Sequence, residues 1–231
     1  MARARSTWLY DLENRLTITS KLGRYDDSER ELAKENIEKM LMLKTSIIRD
    51  LILFDRGFPS ADLIQFLLNK GIHFMMRVST GFYKEVVNTV THDEIVHIEI
   101  TKQRCQVLKK KGLILPEGSV ITIRVIKVNL PSGETEILIT DLAQEELPYE
   151  DSKALYFKRW GLEGRFDDLK HKFEIENFSG EKKISIEQDF YATLLLSNIS
   201  SLIEQDTESE IRNESVKKRT ENTNTKLTRI S

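Results

Sequence analysis

Apolar positions change period several times along this chain. Trp8, Tyr10 and Leu12 alternate with polar neighbours, and so do Leu16, Ile18, Ser20 and Leu22 after a turn near Asn14. That period of two predicts a β-hairpin. Ser28 and Glu31 then stand in capping-box register, ahead of Ala33, Ile37, Met40 and Leu41 at the spacing of one helical face. Leu51-Ile-Leu-Phe54 is a short apolar run suited to a strand covered on both faces, and it stops at Asp55-Arg-Gly-Phe-Pro-Ser60. Ser60 is placed as the N-cap of a second helix that carries Leu63, Ile64, Leu67 and Leu68 and ends at Gly71. Ile72 to Val78 reads as the next strand.

From about residue 80 to 149 the period stays near two. Val96–Ile100, Ile121–Val125 and Ile137–Ile139 alternate, with Pro131-Ser-Gly133 as a hairpin turn, so this stretch is expected to be a β-rich insertion. Helical spacing returns from Asp151 to about Phe173, and again from Ser185, in cap register with Gln188, to about Gln205. The remainder, with Lys217, Lys218, Arg219, Lys226 and Arg229, is polar and is expected to be disordered. The order of elements predicts a mixed α/β layer structure. Its parts are 1–79, the insertion 80–149, a helical part 150–205 and a polar tail 206–231.

Composition narrows the classes. With 231 residues, 39% of them hydrophobic, the chain can bury a real core, and no run approaches the ~18 apolar residues of a membrane span. The net charge of −2 gives no global basic signal, so DNA binding would rest on local patches such as Lys109-Lys110-Lys111. Cys105 stands alone, which excludes an internal disulfide and fits a reducing cytoplasm. His73, His92, His97 and His171 lack ligand spacing, so zinc is not expected.

Candidate chemistry lies in the segment after residue 150. On one ideal helix at about 100° per residue, Tyr156, Arg159, Glu163 and Lys170 project at about 0°, 300°, 340° and 320°, a polar stripe roughly 60° wide. Leu155, Leu162, Phe166, Leu169 and Phe173 fall beside it at about 220–280°. A carboxylate at the edge of the core between cations suits a metal, and the cations suit phosphate oxygens. A solvated face of ordinary ion pairs is the competing reading.

The run Tyr156-Phe-Lys-Arg159-Trp-Gly-Leu-Glu163-Gly-Arg-Phe-Asp-Asp-Leu-Lys170 resembles the YREK motif of bacterial insertion-sequence DDE transposases. Leu53-Phe-Asp55-Arg56-Gly57-Phe58-Pro59-Ser60 resembles the same family's second-aspartate motif. Leu9-Tyr10-Asp11 and Gln188-Asp-Phe-Tyr-Ala192 are also similar, and the likeness covers roughly residues 5 to 205.

The resemblance implies a ribonuclease-H-like mixed sheet flanked by helices, with the β-rich insertion ahead of the catalytic helix. It implies a cytoplasmic, nucleoid-associated bacterial protein, with DNA (transposon ends and target) as substrate. Two Mg²⁺ ions would support phosphodiester hydrolysis and strand transfer. Asp55 and Glu163 are then the catalytic, metal-holding carboxylates, and Tyr156, Arg159 and Lys170 the DNA contacts. The family's first aspartate, on a strand before the hairpin, has no counterpart here. The expectation is therefore an N-terminally truncated, inactive product. It would pair with itself or with a full-length transposase, or act as a non-catalytic DNA-binding remnant. Asp11 is the one substitute ligand to weigh, and is read as structural. Gly161 and Gly164 are expected to weaken the catalytic helix by ~1 kcal/mol each relative to Ala.

Overall fold

The computed structural model describes residues 4–43, 50–110, 112–130 and 132–227, without the side chains of 209 and 211–227. Lys111, Pro131 and Arg229 therefore lie outside the described residues, as do the side chains of Lys217, Lys218, Arg219 and Lys226. The chain divides into two compact units. One is Arg3–Leu9 with Thr19–Gly161, and the other contains Tyr10–Ile18 and Leu162–Ser231.

The first unit is built on a mixed five-stranded sheet. Its strands are β3 (Leu51–Phe54), β4 (His73–Val78), β5 (Asp93–Glu99), β6 (Val120–Asn129) and β7 (Thr135–Thr140), in the order β3-β4-β7-β6-β5. β3 and β4 run parallel, with Leu51 opposite His73 and Phe54 opposite Met76. The remaining pairings are antiparallel. A parallel pair needs a crossover, and helix α2 (Ala61–Lys70) provides it. Both ends of α2 follow from the sequence. Ser60 accepts from the Leu63 N–H, and Gly71 adopts φ 65°, a left-handed C-cap that a residue without Cβ takes at no steric cost.

Both faces of the sheet are apolar. Ile52, Phe54, Phe74, Met76, Val125 and Ile139 point to one core, shared with Leu63, Ile64 and Leu67 of α2 and Ile37 of helix α1 (Glu29–Leu43). The alternate positions Met75, Ile126 and Leu138 point to the other, with Leu147 and Tyr156. A strand covered on both sides has no polar alternation to read, which is why β3 and β4 look like continuous apolar runs. The strands of 80–149 extend the sheet of β3 and β4, with short helices α3 (Lys84–Val87) and α4 (Lys102–Lys110) between them that the periodicity had not indicated.

Alternation in the opening hairpin, β1 (Ala4–Asp11) and β2 (Leu16–Arg24), would turn Ile18 inward. The reverse holds: Ile18 is exposed while Thr7, Thr17, Thr19 and Ser20 are buried. Asn36 of α1 gives the reason. Its side-chain amide donates to the Thr7 carbonyl and hydroxyl, and its backbone carbonyl accepts from the Thr19 hydroxyl at 3.1 Å. The hairpin is thus held by a buried polar network, which a count of apolar periods does not register.

The second unit contains helices α6 (Gly161–His171) and α7 (Lys183–Leu227) and the hairpin tip. α7 starts two residues before the expected Ser185. It also continues through the stretch expected to be disordered, as helix to Leu227. Asn198 of α7 exchanges two hydrogen bonds with the backbone of Thr17, each 2.9 Å long.

Candidate active site

Asp55 follows directly on β3, at the carboxyl end of the parallel pair, where the chain leaves the sheet in a tight turn. The Phe58 N–H closes that turn on the Asp55 carbonyl at 3.1 Å. Arg30 of α1 braces it from outside, donating to the carbonyls of Phe58 and Gly57 at 2.9 and 2.8 Å. Phe58 packs on Phe54 with ring centroids 5.6 Å apart. The turn is therefore held by backbone, cation and ring contacts, while the Asp55 side chain stays 55% exposed.

Tyr156 reaches the same place from helix α5 (Tyr149–Phe157). Its ring is buried, and its hydroxyl donates to the Phe54 carbonyl at 3.2 Å, one residue before Asp55. Burial drives the phenol pKa up to about 12, against a smaller opposing pull from the Arg159 guanidinium. Arg159 lies over the Tyr156 ring at 5.6 Å and over Trp160 at 6.0 Å. It extends its Nη2 to 3.8 Å from the Asp55 carboxylate. Stacking on aromatic faces suits a planar guanidinium and would not suit a lysine in the same way.

Another cation fixes the approach of α5. Arg124 on β6 is buried and pairs with both oxygens of Asp93, at 2.7 and 2.6 Å. It also donates to the carbonyls of Ala143 and Leu147, in the connection that leads into α5. A buried charge so fully bonded clamps that connection, and removing its partners would be costly.

The single helix expected from Asp151 to Phe173 is broken. α5 ends at Phe157, a 3₁₀ turn occupies Lys158–Trp160, and α6 begins at Gly161. A 3₁₀ turn winds more tightly than an α-helix, so the wheel of one ideal helix does not describe the whole segment. Tyr156 and Arg159 belong to the sheet unit with Asp55. Glu163 and Lys170 are carried on α6 in the helical unit.

Glu163 is exposed in the first turn of α6. Lys170 pairs with Glu176 at 3.1 Å and lies over the Phe166 ring at 4.7 Å. Phe166, expected in the apolar stripe, is 39% exposed under that lysine. Arg165 occupies the interior instead. It is buried, and it donates to the Ser197 carbonyl at 2.6 Å and to the Ser197 hydroxyl, joining α6 to α7. No spacing rule marks an arginine next to the expected stripe as the buried one. The same holds for Arg30 and Arg124, whose partners are distant in sequence.

Asp11 is engaged in the hairpin turn. Its carboxylate accepts from the backbone of Glu13 and Asn14, both at 2.9 Å, and from the Asn14 amide at 2.7 Å. Partial burial pushes its pKa up, but these hydrogen bonds outweigh that and hold it below the ordinary carboxylate value. The contacts are those of a turn-closing residue.

With the sheet, the Asp55 turn and the Tyr156–Arg159 stack in place, comparison with known sequences identifies the class. The family described as Transposase DDE domain matches residues 7–199, so this chain belongs to that family. The matched span includes Asp55, Tyr156, Arg159, Glu163 and Lys170. No curated protein matches the chain. Membership makes DNA the substrate class and divalent metal the usual helper of the chemistry. Among the described residues no group of three or more His, Cys, Asp or Glu side chains could hold a metal ion, and a nitrogen of the Arg159 guanidinium lies 3.8 Å from the Asp55 carboxylate. No helix among the described residues is long and apolar enough to cross a membrane.

Proposed function

We propose that this transposase-family chain contributes two carboxylates, Asp55 and Glu163, to the cleavage and joining of DNA, and that it carries out neither step alone. The observation that carries the reading is the position of Asp55. It stands exposed at the end of β3, on a turn braced by Arg30 and Tyr156, within reach of a guanidinium suited to phosphate. Two carboxylates are too few for a two-metal centre, which needs a third ligand to hold both ions in line. Asp11, tied into its own turn, does not serve as that third ligand.

In this reading Arg159 and Lys170 hold phosphate oxygens, where a charge-assisted hydrogen bond is strongest. Tyr156 serves the same end from below. Its hydroxyl fixes the Phe54 carbonyl and its ring supports Arg159, so a direct phosphate contact would require that bond to break. The exposed Lys109 and Lys110, in the last turn of α4, are a second region for DNA contact. This is a grip that persists without catalysis.

The test is a binding and cleavage assay with labelled duplex DNA, with Mg²⁺ or Mn²⁺ and across a salt series. Binding that weakens steeply with salt, without nicking, is expected. Arg159→Ala and Lys170→Ala should each lower the salt slope by about 1. Metal-dependent nicking abolished by Asp55→Asn would overturn the inactive reading. A salt slope indifferent to both cation variants would remove their phosphate role.

A further inference from the structure

Arg159 and Asp55 both belong to the sheet unit, so the contact between them is a property of one compact body. The surroundings hold the guanidinium at that carboxylate. Tyr156 lies beneath it, buried and bonded to the Phe54 carbonyl. Trp160 flanks it at 6.0 Å and is itself stacked on Phe157, with ring centroids 6.3 Å apart. Arg30, a second cation at the turn, directs its donors to the carbonyls of Gly57 and Phe58. The Arg159 side chain is 12% exposed and that of Asp55 55%, so the guanidinium is the held partner and the carboxylate the open one.

The family's chemistry asks for a divalent ion at such a carboxylate, and this chain presents its own cation there instead. We infer that Arg159 keeps divalent ions off Asp55 in the chain free of DNA, and that a DNA phosphate relieves the block by drawing the guanidinium to itself. The relief rests on the phosphate role proposed above for Arg159. The block itself does not.

Charge sets the size of the effect. A doubly charged ion on Asp55 would stand roughly 6 Å from the guanidinium, and at that range in water repulsion lowers its affinity about tenfold. At an ionic strength of about 0.01 M the Debye length is about 30 Å, so screening leaves most of this in place. A phosphate is the stronger partner for the arginine. It offers charge-assisted, bidentate hydrogen bonds, whereas the carboxylate is half-exposed and 3.8 Å away. Phosphate and ion therefore favour each other at this site, and by linkage each does so by the same factor.

Mn²⁺ titrated at low salt into the isotope-labelled chain tests this, because the ion broadens nearby amide signals even when it binds weakly. The signals to follow are those of Asp55, Arg56, Gly57 and Phe58. Arg159→Gln should lower the apparent Kd for Mn²⁺ read there about tenfold. Adding Asp55→Asn to that variant should abolish the broadening. Arg159→Met gives the second reading if the first variant misfolds, as judged from the amide signals of β4 and β6. A saturating short DNA duplex should lower the Kd of the unaltered chain by a similar factor. The same duplex with the Asp55→Asn chain sets apart ions carried by the DNA. An unchanged Kd in both Arg159 variants overturns the block, and broadening that survives Asp55→Asn overturns block and relief together. A gain with the variants but none with duplex overturns the relief. The phosphate contact then stands or falls separately, on whether Arg159→Ala lowers the salt slope of DNA binding.

Discussion

The two units differ in the balance of apolar and polar groups they bury. In the sheet unit, Phe74, Met75 and Met76 sit side by side on β4 with no exposed surface, because both faces of the sheet are covered by apolar groups. In the helical unit, α6 and α7 turn Arg165, Ser197 and Ser201 inward and leave Leu195, Leu196 and Ile203 outside. The first unit also leaves single large apolar side chains outside, among them Met42, Val90, Ile95 and Ile114. The second mixes buried polar groups with Leu169, Phe190 and Leu194 in its interior and leaves a larger share of its apolar side chains on the outside of α7. The candidate residues follow the same division: Asp55, Tyr156 and Arg159 rest on the sheet unit, and Glu163 and Lys170 on the other.

The largest effect should come from the sheet. Phe74→Ala removes a fully buried ring from β4 and is expected to cost about 3–5 kcal/mol, read from denaturant unfolding. A cost below about 1 kcal/mol would mean that the sheet is not the rigid half. Arg165→Ala should cost on the order of 2 kcal/mol by removing the charge-assisted bonds to Ser197. Hydrogen exchange should localise the loss to α6 and α7, and uniform loss across both units would contradict the division.

Tyr156→Phe leaves the buried Phe54 carbonyl without its donor and should cost roughly 1–2 kcal/mol. It also gives a pH signature. The folded phenol titrates near 12, against an ordinary value of 10.0, so its contribution is full below pH 10 and is lost as pH rises toward 12. Alkaline unfolding of the unaltered chain should steepen over that interval, and the Phe variant should lose the increment together with one tyrosinate absorbance step.

Gly164→Ala is expected to stabilise α6 by up to ~1 kcal/mol, since an added Cβ meets no atom within 4 Å. It should appear as a modest rise in Tm, and no rise would locate the weakness elsewhere than in that glycine. The smallest effect is expected at Leu195→Ser. It should change stability by less than ~0.5 kcal/mol, although it removes a large apolar side chain, because Leu195 is 61% exposed. A loss comparable with that at Phe74 would show the outer face of α7 to be core.

Local chemistry was legible wherever neighbours in sequence settle it. Ser60 and Gly71 cap α2 as their types predict, because a hydroxyl and a missing Cβ act within four residues. β3, β4 and the strands of the later β-rich stretch were readable from their apolar runs and alternation. Asp11 was readable as structural, since the residues that bind it follow it within a turn. α3 and α4 were not: they are short, and α4 is too lysine-rich to show an apolar face.

The site divides on the same principle. The residue types and order of Asp55, Tyr156, Arg159, Glu163 and Lys170 are properties of the sequence, and so is the resemblance that marks them. Their arrangement is not. An ideal wheel cannot anticipate a 3₁₀ turn at Lys158–Trp160, because winding that tight is set by the packing around it. Nor can periodicity tell that Asn36 draws threonines inward and turns Ile18 out, or that Arg165 is buried while Phe166 is exposed. Each of those outcomes depends on a partner distant in sequence, 29 residues from Asn36 to Thr7 and 32 from Arg165 to Ser197. The sequence by itself determined which groups could do chemistry and which short elements carry them. Tertiary structure alone decided which polar groups are satisfied inside and which apolar groups remain outside, because burial is a property of pairs that only the folded chain brings together.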